Sequence, residues 1–150
     1  MQRGLEAAAL YANGCNCAQA VLAVFSEALQ MDRETAIRVA TGFGGGMGRS
    51  GNTCGAVTGA FMVLGLARGM RRAEDAAAKE TTYALVREFS RHFTDQHATL
   101  ACRELLGVDI GTAEGRQAAK ERGLFTTLCK ELIQDAVIIL EKMLAGGDDV

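Results

Sequence analysis

The chain contains no proline in 150 residues. Proline fixes φ, removes an amide donor and breaks helix interiors, so without it long helices run uninterrupted and glycine becomes the punctuation. Eight of the 18 glycines fall between Thr41 and Ala60, in TGFGGGMGRSGNTCGAVTGA. Elsewhere alanine, leucine, glutamate and arginine dominate, all good helix formers, and no run of alternating β-branched residues suggests a strand. The expected fold is therefore all-α: a single-domain compact bundle of about six to eight helices with a glycine-rich interhelical loop. A chain of this length buries roughly 68–70% of its unfolded surface, enough for a core without staples. Residues 1–145 are expected to form the domain, and the polar GGDDV at 146–150 a flexible tail.

Periodicity and capping signals place the helices. The first is expected over Arg3–Ala12, ended by Asn13-Gly14, and the second from about Asn16 to Leu29. In the second, Cys17, Ala20, Val21, Val24, Phe25 and Ala28 repeat at helical spacing on one face. Asp32 is a good N-cap for a third helix to about Gly42. A fourth is expected from Asn52 or Thr53 to Leu66 or beyond. Its Gly55, Gly59 and Gly65 each cost about 1 kcal/mol against alanine, so close approach of another backbone should compensate, and this helix is expected to be central. A long, partly exposed fifth helix spans about Ala73–Phe93. Thr94 or Asp95 could cap a sixth through Leu106, Thr112 a seventh to Arg122, and the last runs from about Phe125 to Leu144.

The net charge of −2 and an aromatic content of 5% argue against nucleic acid as a partner. The longest apolar stretch, Gly59–Ala67, is too short to span a bilayer, and MQRGLEAAALYANG does not read as a signal peptide. The expected location is cytoplasmic, where thiols stay reduced, so five cysteines point to reactive, metal-binding or buried thiols rather than structural disulfides. The odd count leaves one without an intramolecular partner.

The glycine-rich stretch contains Gly46-Met47-Gly48-Arg49-Ser50-Gly51, a literal G-x-G-x-x-G, with Glu74 and Asp75 further on. A dinucleotide fingerprint works only after a β-strand, because the turn must aim a helix N-terminus at the pyrophosphate. Here the preceding segment is helical, and a Walker A loop fails at Phe43 and Arg49. Nucleotide binding is not expected.

Four cysteines are the stronger candidates. Cys17 and Cys54 sit at expected helix N-termini, whose unpaired amides and partial positive charge favour a thiolate. Cys102 shares a face with Ala98, Ala101, Leu105 and Leu106, and Cys129 lies in the stripe Phe125, Leu128, Leu132, Ala136, Ile139, Leu140. Each alone could be a small core hydrophobe; four facing inward favour a joint site. No C-x-x-C pair marks a zinc knuckle or a thioredoxin-type motif, and Cys15-Asn16-Cys17 is too tight for a chelating pair on a helix. Spacing leaves dithiol cycling and a metal centre both open.

NCAQAVL at 16–22, GFGGGMG at 42–48, TCGAVTGAFMVLGL at 53–66, CRELLG at 102–107 and Cys129 occur in that order. Together they resemble the four-cysteine C_GCAxxG_C_C family of redox-type proteins, over nearly the whole chain. The resemblance implies a small helical protein whose family cysteines are Cys17, Cys54, Cys102 and Cys129. It implies either catalytic thiols or ligands of an iron–sulfur or other metal centre, hence a thiol oxidoreductase or electron-transfer protein. It also implies a redox partner and an association with transporter genes. Two departures stand out: the motif here runs Cys54-Gly55-Ala56 where the family label writes glycine first, and Cys15 is an additional thiol. No C-x-x-C-H motif supports haem.

The competing reading is a non-redox helical interaction module, with packing cysteines and a glycine-lined helix serving dimer contacts, so a homo-oligomer stays open. His92 reads as a surface or capping residue, and His97 as a base or ligand only if it approaches a thiol. Ser50 and Ser90 lack a histidine at recognisable spacing, and Glu80, Glu88, Glu104 and Glu131 lie on charged faces. Arg49, beside the glycine loop, could stabilise a thiolate or an anionic ligand.

Overall fold

In the computed structural model, which describes residues 2–146, eight α-helices follow one another and no strand forms among the described residues. They are α1 (Gln2–Ala12), α2 (Cys17–Ser26), α3 (Arg33–Ala40), α4 (Gly55–Arg68), α5 (Ala76–His97), α6 (Cys102–Leu106), α7 (Ala113–Glu121) and α8 (Leu128–Leu144). Single turns of tighter helix, Glu27–Leu29 and Thr41–Phe43, extend α2 and α3. Residues 147–150, most of the expected tail, lie outside the described residues.

The capping residues do what their chemistry favours. Asp32 accepts from the Thr35 amide at 2.9 Å and Thr112 from the Gly115 amide at 2.9 Å. Gly107, at φ +69°, closes α6, with its amide on the Arg103 carbonyl.

The centre of the bundle is a pair of helices rather than α4 alone. Every residue of α2 from Ala18 to Ser26 is buried, as expected of a helix apolar all round. It packs against α4, α3, α1 and α8, and α4 in turn meets α5 and α8. The α2–α4 approach is close because Gly59 has no side chain: a Cβ there would stand 2.8 Å from the Ala18 carbonyl oxygen and 3.1 Å from its Cα. Phe25, Leu64, Phe89, Phe93, Ile133 and Leu140 fill the main core around that pair. A smaller apolar cluster, built on Leu106, Ile110 and Ala119, caps one end of the bundle.

The chain departs from the expected boundaries between α5 and α6. Rather than stopping near Phe93, α5 continues to His97, whose ring packs on Phe93 at 4.8 Å and whose Nε2 lies 2.9 Å from Asp135 Oδ2 on α8. Ala98 then takes φ +70°, a left-handed cap, and no helix starts at Thr94 or Asp95. The next helix begins only at Cys102.

Two glycines of α4 should respond oppositely to alanine. Gly59→Ala forces the α2–α4 contact apart and should cost about 1–3 kcal/mol. Gly65→Ala meets nothing within 4 Å and should stabilise by up to about 1 kcal/mol through helix propensity. Urea unfolding of both variants checks the pair; equal effects would contradict the close approach.

Candidate functional site: four thiols around one cavity

All four cysteines expected at the site stand at a helix start. Cys17 opens α2, Cys54 is the N-cap of α4, Cys102 opens α6 and Cys129 is the second residue of α8. The sequence suggested this for Cys17 and Cys54. It placed Cys102 and Cys129 within helix faces, because the starts of α6 and α8 were expected several residues too early.

Local chemistry fixes each start. At α2, the Asn16 side chain accepts from the Gln19 amide at 2.9 Å while the Gln19 side chain accepts from the Asn16 amide at 2.8 Å, a reciprocal capping box. Asn16 Nδ2 donates to the Thr41 carbonyl at 2.9 Å, and Gln19 Nε2 to the Ile37 carbonyl at 3.0 Å, tying Cys17 to the end of α3. The entries to α4 and α6 run antiparallel. There the Cys54 amide donates to Leu100 O at 2.8 Å, Cys102 to Asn52 O at 2.6 Å and Arg103 to Gly51 O at 3.0 Å, around an isolated bridge between Thr53 and Ala101.

The glycine-rich loop makes these approaches possible. From Gly45 to Arg49 five consecutive residues have φ between +65° and +69°, a short left-handed coil closed by hydrogen bonds from Gly51 N to Gly45 O and Asn52 N to Gly46 O. Left-handed helix costs roughly 1–2 kcal/mol per residue with a side chain, and Met47 and Arg49 carry one. Gly46 has no room for a Cβ, which would stand 2.8 Å from Cys102 Cβ and 2.6 Å from Asn52 N. On α4, a Cβ at Gly55 would stand 3.0 Å from Cys17 Cβ.

The four cysteines line one cavity of about 510 Å³, together with Tyr11, Arg49 and Arg116. Cys54 belongs to the main core and Cys102 and Cys129 to the smaller cluster, while Cys17 packs against both, so the cavity lies where the two apolar bodies meet.

Their proton affinities differ sharply. Hydrogen bonding to Cys129 and burial hold the Cys17 thiol well above its ordinary value. Cys129 is shifted the other way: it receives the Cys17 hydrogen bond and a second from the Tyr11 hydroxyl, and these outweigh its burial. Burial pushes Cys54 up to about 12, although the amides of Ala56 and Val57 pull it down, and pushes Cys102 up to about 11. Tyr11 is also held protonated, chiefly by burial. The expectation that helix N-termini make Cys17 and Cys54 the low-pKa pair is thus corrected. Desolvation exceeds the helix-end effect at Cys54, and at Cys17 hydrogen bonding to Cys129 and burial raise the proton affinity.

The remaining candidates fall outside the cavity. His97 is engaged by Asp135 between α5 and α8, and His92 lies 3.6 Å from Glu88 on the exposed side of α5. Ser90 Oγ donates to the Val86 carbonyl of its own helix, and Glu80, Glu104 and Glu131 are exposed. Cys15 does not line the cavity. Arg49 does, as the sequence allowed. Tyr11 and Arg116 were missed. Gly4, Ala7, Ala8 and Tyr11 recur at helical spacing, so an inward Tyr11 was readable, but its thiol partners were not. Although four sulfurs share the cavity, no three described histidine, cysteine, aspartate or glutamate side chains form a group that could hold a metal ion. All five cysteines are free thiols.

The family described as "Putative redox-active protein (C_GCAxxG_C_C)" matches residues 15–143. The chain belongs to this family. The match spans all four cysteines that line the cavity and the glycine-rich loop between α3 and α4. No curated protein and no solved structure is found to match the chain. No helix among the described residues is long and apolar enough to cross a membrane.

The raised thiols give the reduced protein an alkaline limit. An unfolded cysteine ionises near 8.5, whereas Cys54 and Cys102 keep their protons to about 12 and about 11. The unfolded state therefore loses protons first. The stability contribution is complete below about pH 8.5 and is lost as pH rises toward 11. Thermal unfolding under reducing conditions should show this fall, and the Cys54→Ala, Cys102→Ala double variant a shallower one. An identical slope in both would contradict it.

Proposed function

We propose that the protein is a thiol redox protein in which Cys129 and Cys17 cycle between dithiol and disulfide, residues 1–145 forming the redox unit. The observation that carries this reading is the convergence of Cys17 and Cys129 on one cavity, where hydrogen bonding lowers the proton affinity of Cys129 and raises that of Cys17. Oxidation by a disulfide RSSR then balances. The Cys129 thiolate attacks one sulfur, forming a mixed disulfide and releasing RS⁻. Cys17 gives its proton to that leaving group, yielding RSH, and attacks Cys129 Sγ, which releases the second RS⁻. Two electrons pass from the protein to RSSR, and the reverse sequence reduces the Cys17–Cys129 disulfide.

Cys54 and Cys102, held protonated by burial and joined through the Thr53–Ala101 bridge, form the second pair of the set. A second reading, with all four sulfurs on an iron–sulfur or other metal centre, draws support from the single cavity they share. It requires the thiols to close further than they do, because no described group could hold a metal ion.

Alkylation separates the thiols. At pH 7 Cys129 should react with iodoacetamide at least about tenfold faster than Cys54 or Cys102, because its proton affinity is lowered while burial raises theirs. Limited oxidation of the reduced protein by 2-hydroxyethyl disulfide should yield a Cys17–Cys129 link in peptide mapping, absent in Cys129→Ser. Fastest alkylation at Cys54, or a link that excludes Cys129, would contradict the assignment.

A further inference from the structure

Two arginines share the cavity with the four thiols. Arg49 reaches it from the left-handed coil, its stem laid over a glycine: a Cβ on Gly45 would stand 2.9 Å from Arg49 Cγ. Arg116 comes from α7 and is anchored by a hydrogen bond from Nη1 to the Ile110 carbonyl at 3.0 Å. Neither has a carboxylate partner among the described residues, and no aspartate or glutamate lines the cavity. Asp109, near the Arg49 backbone, instead accepts from the Gly111 amide and faces Arg103 at 3.8 Å. The amino ends of α2, α4 and α8, which carry Cys17, Cys54 and Cys129, add partial positive charge on the same space. The other walls are apolar, including Leu105, Ile110, Phe125 and Leu132.

A cavity with two guanidinium groups, no carboxylate and an apolar floor selects a small anion with a short apolar body. Its volume of about 510 Å³ falls within the roughly 300–1,000 Å³ typical of small-molecule sites. We propose that the cavity binds a small carboxylate-bearing disulfide, its carboxylates paired with Arg49 and Arg116 and its S–S bond presented to the cysteines. Planar guanidinium matches carboxylate with paired, charge-assisted hydrogen bonds, which supply orientation as well as affinity. The inference rests on the dithiol reading for its chemistry, since RSSR there becomes this anionic disulfide. The site itself rests only on the cavity and its cations.

The test separates the two. Adipate, in which two methylenes replace the sulfurs of dithiodiglycolate, probes the site without redox chemistry. Isothermal calorimetry should show it binding the reduced wild-type protein, at least about tenfold more weakly in Arg49→Gln and Arg116→Gln, with partial recovery in the lysine variants. Circular dichroism should show each variant still folded. The absence of adipate binding to wild type, or equal binding by the glutamine variants, would overturn the proposal. In the kinetic arm, dithiodiglycolate should oxidise the wild-type thiols at least about tenfold faster than the cationic disulfide cystamine. The double glutamine variant should lose that preference, its dithiodiglycolate-to-cystamine rate ratio falling toward one, with neutral 2-hydroxyethyl disulfide as the reference rate in each protein. A preference unchanged in the double variant would also overturn it. Adipate binding without oxidation by any of the three disulfides would overturn the dithiol reading and the disulfide ligand, leaving a carboxylate site.

Discussion

The close approach of α2 and α4 is the constraint on which the rest of the structure depends. Gly59 lets the two backbones meet at Ala18, and one turn earlier Gly55 leaves space for the Cys17 side chain. With the helices in that register, Cys17 and Cys54 arrive at the same end of the bundle. Antiparallel pairing with residues 100–103 then brings in Cys102. The α1–α8 and α2–α8 contacts bring in Tyr11 and Cys129. A wider crossing would separate the thiols even if every helix survived. The glycines thus spend helix propensity on proximity.

Two opposing electrostatic effects meet in the cavity. Helix amino ends favour negative charge, while burial in an apolar junction opposes it. Where a thiol faces the junction with weak local help, as at Cys54 and Cys102, burial dominates and the proton stays on. Where two donors converge on one sulfur, as at Cys129, the proton affinity is lowered. Hydrogen bonding, more than helix position, thus separates the proton affinity of Cys129 from those of the other three thiols. Arg49 and Arg116 add positive charge to the same cavity.

Much of this arrangement was readable in the sequence because it depends on local signals. Missing proline, helical periodicity and the caps Asn16, Asp32 and Thr112 gave the helical class and most element positions. The four cysteines and their order identified the family, and glycine spacing on α4 signalled a close approach. What failed depended on long-range contacts. The extension of α5 to His97 is held by Asp135, 38 residues away. The start of α6 is set by pairing with residues 51–54, which no local pattern records. The order of thiol acidity was misjudged because helix starts are visible in a sequence, whereas desolvation and the Tyr11 and Cys17 hydrogen bonds exist only after folding. The left-handed coil was legible as glycine but not as geometry, since Met47 and Arg49 adopt a backbone that their own preferences oppose.

The most direct test of the central claim is a combined thiol, metal and sulfide count on protein purified without oxygen. A dithiol site should give five titratable thiols in the unfolded chain, matching the five cysteines, and no stoichiometric metal or sulfide. After one two-electron oxidation, two fewer thiols should remain. Stoichiometric iron and inorganic sulfide, lost on Cys129→Ser, would contradict the dithiol account and assign the four thiols to a metal centre.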